Sequence, residues 1–253
     1  MKISRRDFVG GATGAAATLW SFPRIGLDTL ASRRGRDLSC VLLDLNSQCV
    51  LRESLQGYQA ALAGEHDLFE AKFDSRCRYG IAIVPGLGVM DPLVASSLAG
   101  LMKAGTNLLL ESGAGFLSPP EFISHQKMLN RYFGIAIDPP VDLRSAESTD
   151  GSVFPRRPGR NPRNKLEGQG FVPYVNYLWP HETRVRDFSR VIPPSLGVGD
   201  VIGTVGTLPV ALRRRVGKGM LIFLGSPMGP ALRAGDPEAR FWLRLVTSPG
   251  ATL

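Results

Sequence analysis

Cysteine and histidine are scarce in this chain of 253 residues, which contains three of each. Cys40, Cys49 and Cys77 are odd in number and lack the paired spacing of a zinc site, so neither a disulfide framework nor a zinc fold is expected. The sequence also lacks the aromatic and basic pattern with which sheet-based RNA-binding domains stack on bases. We therefore expect no metal, no cofactor and no nucleic acid as partners.

Positive charge is unevenly distributed along the chain. The formal net charge is +8, and residues 1–37 hold seven basic and three acidic residues, a net +4. Half of the excess charge thus belongs to the N-terminal arm, which argues against a nucleic-acid-binding surface on the body of the protein. The hydrophobic fraction of 43% is that of an ordinary globular protein, and 29 glycines and 19 prolines predict many turns.

The first nine residues contain a pattern that resembles the twin-arginine export signal. Residues 4–9 read Ser-Arg-Arg-Asp-Phe-Val, with Arg5, Arg6 and Phe8 at the characteristic positions and Gly10 where such signals usually have lysine. The weakly apolar run that follows has about 13 residues, fewer than the ~20 that a membrane-spanning helix needs. The resemblance implies export of the folded protein by the twin-arginine translocase, to the periplasm or the outer face of the cytoplasmic membrane.

The sequence leaves open whether the signal is cleaved and whether two of the cysteines pair. Small residues at positions 15–17 and at positions 29–31 both allow cleavage of the signal, and retention of an uncleaved anchor is a third option. Cys40 lies in an apolar segment and is interpreted as a small buried hydrophobe. Cys49 and Cys77 allow a disulfide that forms after export.

Apolar segments alternate with amphipathic segments from residue 38 onward. Runs typical of buried strands occupy residues 38–45, 67–73, 79–84 and 106–112. Helical spacing predicts helices over residues 50–63, 92–104 and 122–133, the second with Asp91 as its N-cap. Because strands that alternate with helices favour parallel pairing, we predict one α/β domain over residues 38–253. The predicted architecture is a flavodoxin-like three-layer sandwich with a mostly parallel central sheet.

Residues 138–170 interrupt this regular pattern. The segment 156–165 has five basic residues, no acidic residue, two prolines and one glycine. Two interpretations stay open, a contact with an anion or membrane headgroup and a solvated insertion without a binding role. Beyond it the sequence predicts a short helix ending at Phe188, two strands joined at Gly217–Gly219 and a last helix from Asp236.

Three motifs in order suggest a family: Ile83–Gly88 (Ile-Val-Pro-Gly-Leu-Gly), Ala104–Leu110 (Ala-Gly-Thr-Asn-Leu-Leu-Leu) and Gly217–Gly225 (Gly-Lys-Gly-Met-Leu-Ile-Phe-Leu-Gly). Together they resemble the class I glutamine-amidotransferase-like superfamily, and in particular its non-enzymatic members such as the trimerisation domain of some β-galactosidases. The resemblance covers roughly residues 38–135 and 200–247. These strand-and-turn motifs are of moderate specificity.

Active members of that superfamily use a cysteine in the pattern Gly-x-Cys-x-Gly and a His-x-Glu pair after a late strand. Here Ser112 takes the cysteine position, with Leu110 and Ala114 in place of the glycines. The late strand leads into residues 226–228, Ser-Pro-Met, which contain neither histidine nor glutamate. The resemblance therefore implies a non-catalytic member, a binding or assembly module with a protein partner or complex in the cell envelope.

The alternative is a hydrolase or amidase with a site rebuilt around Ser112, Glu111 and His181. A serine nucleophile needs a base, and His181 precedes Glu182 near a predicted helix start, from which its side chain would reach the strand ends. His66 and His125 are interpreted as surface residues. Glu111 at a strand end is suited to hydrogen-bonding helix N-termini, or to binding a cation or a sugar.

Overall fold

The computed structural model describes residues 38–43, 45, 51–63, 69–71, 79–113, 115–116, 118–142, 174–186, 190–195, 197 and 199–248. The features that lie outside these residues are the twin-arginine segment, His66, Cys49, Cys77 and the basic segment 156–165, and what the sequence indicates about them stays a prediction. Among the described helices, none combines the length and the apolar character that crossing a membrane requires.

Strands and helices alternate in the first half of the chain, and strands dominate the second half. The strands are β1 Leu38–Leu43, β2 Phe69–Ala71, β3 Tyr79–Leu87, β4 Asn107–Ser112, β5 Val141–Asp142, β6 Tyr174–Tyr177, β7 Thr183–Arg186, β8 Arg190–Val191, β9 Asp200–Val205, β10 Leu208–Val216 and β11 Gly219–Leu224. The α-helices are α1 Arg52–Leu62, α2 Pro92–Ala104, α3 Pro119–Met128, α4 Gly229–Arg233 and α5 Pro237–Thr247. A π-helical turn, Leu129–Phe133, continues α3.

Nine of the described strands form one sheet, in the order β2-β1-β3-β4-β11-β10-β9-β6-β7. The strands from β2 to β11 in this order pair in parallel. The strands from β11 to β7 pair antiparallel. Strands β5 and β8 form a separate antiparallel pair. The sheet is therefore mixed, with β11 as the boundary between its two halves.

The prediction of a flavodoxin-like sandwich with a mostly parallel sheet is wrong. In the described sheet, four of the eight pairings between neighbours are antiparallel. Strand β9 was not predicted, and the short helix expected before Phe188 is strand β7. Along β7 the side chains alternate, with Thr183 and Val185 buried and Arg184 exposed, which is the period of a strand rather than a helix.

Several local predictions are confirmed. Helix α2 begins at Pro92, and the Asp91 carboxylate accepts a hydrogen bond of 2.8 Å from the Leu93 amide, as an N-cap should. Gly105 ends that helix with a φ of 124°. The hairpin of β10 and β11 turns at Gly217, which has a φ of 63°. The cap, the helix end and the turn each depend on residues that are close together in the chain, so they could be predicted without knowledge of the tertiary structure.

The core consists of two buried clusters, one on each face of the sheet. In β4, Leu108 and Leu110 belong to the cluster under α2 and α3, whereas Leu109 belongs to the cluster under α1, α4 and α5. Trp242 of α5 is fully buried in the second cluster. Cys40 is buried there too, as expected, and burial raises the pKa of its thiol to about 12.

Helices α1 and α4 approach each other closely through two glycines. A methyl group added to Gly57 would lie 1.9 Å from the carbonyl oxygen of Gly229. A methyl group added to Gly229 would lie 2.1 Å from the Cα of Ser54. Any larger residue at these two positions would therefore push the backbones apart.

Gly57→Ala is expected to lower the free energy of unfolding by about 1–3 kcal/mol, because the added methyl overlaps backbone that cannot rotate away. Gly100→Ala in α2 is the matched control, since a methyl there meets nothing within 4 Å. That control should raise stability by about 0.5–1 kcal/mol through helix propensity. Urea denaturation measures both, and equal stabilities for the two variants would contradict the close contact.

Candidate functional site

Ser112 is the last residue of β4, and its side chain points to the face covered by α2 and α3. Its Oγ lies 2.7 Å from Nε2 of His125, which is on α3. Both residues are fully buried. The structure thus places an imidazole within hydrogen-bond distance of the serine that the sequence singled out, as the nucleophile and base of a serine hydrolase require.

The second nitrogen of the imidazole determines the tautomer. His125 Nδ1 is hydrogen-bonded to the carbonyl oxygen of Gly88, which follows β3. A carbonyl only accepts, so Nδ1 carries the proton and Nε2 is left to accept from the Ser112 hydroxyl. Burial lowers the pKa of His125 to about 4, with the Gly88 bond opposing part of this effect. The imidazole is therefore neutral at pH 7, which is the state a general base needs.

Aromatic rings cover this Ser112–His125 pair, which we call the dyad. The Phe116 ring lies against His125 with ring centroids 4.9 Å apart. Phe122 packs edge-on against Phe116 at 5.7 Å. The dyad is closed to solvent in this structure.

The backbone amide that follows Ser112 is also hydrogen-bonded. The amide of Gly113 donates a hydrogen bond of 2.8 Å to the carbonyl of Leu87. In a nucleophile elbow, the amide after the nucleophile contributes to the oxyanion hole. Here that amide is hydrogen-bonded to β3 instead.

Glu111 lies on the opposite face of the sheet from Ser112. Adjacent strand residues alternate, so the Glu111 carboxylate points toward α1 and α4. Its Oε1 accepts a hydrogen bond from the Ser54 hydroxyl, and its Oε2 accepts from the amides of Met228 and Gly229 at 3.0 and 3.2 Å. The expectation that Glu111 would bond to a helix start matches these contacts. It is not part of the dyad.

His181 is the third residue proposed from sequence, and the structure does not bring it to Ser112. It is exposed between β6 and β7, where its ring meets Phe241 edge-on at 5.9 Å. Strand β6 is four positions from β4 in the sheet, roughly 19 Å at the usual strand spacing. The site expected around Ser112, Glu111 and His181 is therefore not assembled.

His125 is the residue that sequence reasoning missed, because a histidine within a helix was assigned to the surface. The sequence indicates that His125 is buried through its spacing from apolar residues of the same helix. Phe122 precedes it by three residues, and Leu129 follows it by four, which puts all three on one face of the helix. The structure buries Phe122, His125 and Leu129 together.

No family model matches this chain, and no curated protein matches it. Among solved structures, the exo-β-1,4-mannosidase Op5Man5 from Opitutaceae bacterium strain TAV5 is similar, with 12% identity and a TM-score of 0.50 over 84% of this chain and 35% of the mannosidase. The β-galactosidase from Bacillus circulans sp. alkalophilus has 12% identity and a TM-score of 0.49, over 80% and 30% of the two chains. The mmIFT52 N-terminal domain has 12% identity and a TM-score of 0.49, over 85% and 100%.

At these identities the likeness to the mannosidase concerns the fold alone. This chain spans about a third of the length of the mannosidase and of the galactosidase. β-Galactosidases, to which the sequence motifs were compared, are among the similar structures. Membership of the glutamine-amidotransferase-like superfamily stays a prediction.

The neutral, buried His125 predicts a pH dependence of stability. Between its ordinary pKa near 6.5 and its folded value of about 4, the unfolded chain binds a proton at this residue that the folded chain does not. The contribution of His125 to stability is therefore complete above pH 6.5 and falls by about 3 kcal/mol as the pH drops toward 4. Glu111, with a folded pKa of about 7, contributes in the opposite direction between pH 4.5 and 7. Urea denaturation between pH 4 and 7 should therefore show the His125 loss as a change in the stability difference between the wild type and His125→Gln.

His181→Gln is the matched control, because it removes an exposed histidine. The control should keep the wild-type pH dependence. If His125→Gln and the wild type lose stability in parallel below pH 6.5, the buried neutral imidazole is refuted.

Proposed function

We propose that the protein is a hydrolase of esters or amides, with Ser112 as nucleophile and His125 as general base. The observation that carries the proposal is the 2.7 Å contact of Ser112 Oγ with His125 Nε2, together with the Gly88 carbonyl that holds Nδ1 protonated. This arrangement leaves the Nε2 lone pair directed at the hydroxyl proton. Burial keeps the imidazole neutral at pH 7, so Nε2 is unprotonated there.

In the proposed reaction, Ser112 Oγ attacks the acyl carbon while its proton passes to His125 Nε2. The imidazolium then returns that proton to the leaving alcohol or amine as the acyl–oxygen or acyl–nitrogen bond breaks. Water next attacks the acyl-serine, with Nε2 accepting its proton. The bond between the acyl carbon and Oγ then breaks, Nε2 returns the proton to Oγ, and the carboxylic acid and free Ser112 are released. The Gly88 carbonyl stabilises the imidazolium in both steps through its bond to Nδ1.

Substrate access requires the Phe116 ring to leave His125, because the dyad is fully buried in this structure. The rings of Phe116 and Phe122 then form apolar walls beside the imidazole. An acyl substrate with an apolar group next to the carbonyl fits such walls.

The similar structures include a mannosidase and a β-galactosidase, but the described residues favour acyl substrates. Glycoside hydrolysis ordinarily uses two carboxyl groups about 5–10 Å apart. Among the described residues, Glu111 is the only buried carboxylate, and its oxygens are bonded to Ser54, Met228 and Gly229.

One set of observations favours a second function, a non-catalytic binding or assembly module of the cell envelope. The dyad is fully buried, and the Gly113 amide is bonded to Leu87 rather than directed at a reacting carbonyl. In this function the Ser112–His125 bond joins β4 to α3 and has no catalytic role. The labelling experiment below separates the two functions.

A fluorophosphonate probe should label Ser112 in the wild type, because the probe reacts with a serine that a base deprotonates. Labelling should vanish in Ser112→Ala and fall about 100-fold or more in His125→Gln, the usual contribution of a general base. Phe116→Ala should accelerate labelling by uncovering the imidazole. Mass spectrometry of the labelled peptide measures each rate.

Ser226→Ala is the control, since Ser226 is another buried serine, just beyond the end of the neighbouring strand β11. Its labelling rate should equal that of the wild type. Absence of label on Ser112 in both the wild type and Phe116→Ala would reject the hydrolase and leave the binding module.

We also propose that the N-terminal segment directs export through the twin-arginine translocase. The support is the sequence pattern with Arg5, Arg6 and Phe8. If Arg5 and Arg6 are replaced by lysine, a reporter fused to residues 1–37 should stay in the cytoplasm. The same reporter fused to the natural segment should be exported. Cell fractionation measures the distribution, with Arg33→Lys plus Arg34→Lys as the control pair. Equal export of all three fusions would contradict the proposal.

A further inference from the structure

Glu111 joins three elements of the fold through one buried carboxylate. It is the residue before Ser112 in β4, and its side chain is fully buried. Oε1 accepts from the Ser54 hydroxyl on α1. Oε2 accepts from the amides of Met228 and Gly229, where the chain enters α4. The carboxylate therefore holds α1, the end of β4 and the start of α4 together.

Tight packing makes this junction sensitive to those hydrogen bonds. Methyl groups at Gly57 or Gly229 would overlap the neighbouring backbone, so α1 and α4 meet with no spare space. A close-packed contact transmits a displacement to its neighbours rather than absorbing it. If the hydrogen bonds from the Met228 and Gly229 amides to Glu111 weaken, the end of β4 should therefore change its position.

Tyr58 provides a partner for a proton on Glu111. Its hydroxyl is buried beside the carboxylate and has no hydrogen bond of regular geometry within the described part of the chain. Burial and the nearby Glu111 raise the pKa of Tyr58 well above its usual value, so the phenol keeps its proton at neutral pH. The hydroxyl is able to donate to an ionised Glu111 or to accept from a protonated one.

Both states of Glu111 are accessible near neutral pH. Burial raises its pKa to about 7, against the opposing effect of the hydrogen bonds from Ser54, Gly229 and Met228 and of the nearby Tyr58 hydroxyl. In the described chain, the other titratable groups in the buried cluster on this side are Tyr58 of α1, Tyr177 of β6 and Cys40 of β1. On α4, the Arg233 guanidinium is at the surface, paired with Glu53 at 3.0 Å.

We propose that Glu111 is a positioning residue for Ser112, and that its protonation loosens the hold of α1 and α4 on the end of β4. In the ionised state, charge-assisted bonds from two amides and Ser54 fix the end of the strand. In the protonated state, the carboxyl donates to the Tyr58 oxygen and its bonds to the amides weaken. The effect on Ser112 reactivity rests on the proposed function, whereas the change in position does not.

Amide NMR of the protein between pH 5 and 9 tests the change in position without any activity. The resonances of Met228, Gly229 and Gly113 should shift with one common midpoint near pH 7, and none of them should do so in Glu111→Gln. Gln at this position is able to accept from the same amides and donate to the Ser54 oxygen, so the fold should persist. The Gly105 amide, which donates to the Leu101 carbonyl, is the control and should not follow this midpoint.

Ser54→Ala is a second variant, because it removes one donor to the ionised carboxylate. The common midpoint should move to higher pH in this variant. A Gly113 amide that does not follow the midpoint of Met228 and Gly229 would overturn the positioning role. So would a midpoint that persists in Glu111→Gln.

Fluorophosphonate labelling of Ser112 over the same pH range adds the functional readout. The wild-type rate should rise several-fold through the NMR midpoint, and the rate of Glu111→Gln should lack that step. An identical pH profile in both proteins would overturn the positioning role and leave the hydrolase standing. No label on Ser112 at any pH would reject the hydrolase, while the amide titration alone decides the change in position.

Discussion

Strand alternation at the carboxyl end of β4 is the constraint on which the candidate site depends. Glu111 and Ser112 are adjacent, so their side chains must enter opposite faces of a sheet that is covered on both sides. A buried polar group without a partner costs about 1–3 kcal/mol, and each of these two groups has its own partners. Ser112 is hydrogen-bonded to His125. Glu111 accepts hydrogen bonds from the Ser54 hydroxyl and the Met228 amide.

Burial acts on the two titratable groups in opposite directions and for the same reason, since a low dielectric disfavours charge. It lowers the pKa of His125 and so keeps a neutral base beside the serine. It raises the pKa of Glu111 to about 7, which makes the opposite face of the same strand end responsive to pH. The Phe116 ring lies against this imidazole and is itself buried.

Local signals in the sequence predicted individual elements, such as the cap at Asp91 and the hairpin turn at Gly217, but not the architecture of the sheet. The separation of Glu111 from Ser112 follows from the two-residue period and could have been predicted. The spacing of Phe122 and His125 indicated a buried histidine. The antiparallel half was missed because β9 was not recognised as a strand and the segment of β7 was assigned to a helix. Of its pairings, only that of β6 with β9 joins strands that are not consecutive along the described chain.

The central claim is that a neutral His125 accepts a hydrogen bond from Ser112 in a site closed to water. Nitrogen NMR of the histidine side chains measures this most directly, with His125→Gln to assign the signals. The account predicts a protonated Nδ1 and a bare, hydrogen-bonded Nε2 at pH 7, with no titration until the pH approaches 4. A proton on Nε2, or an imidazole that titrates near pH 6.5 like an exposed histidine, would contradict it.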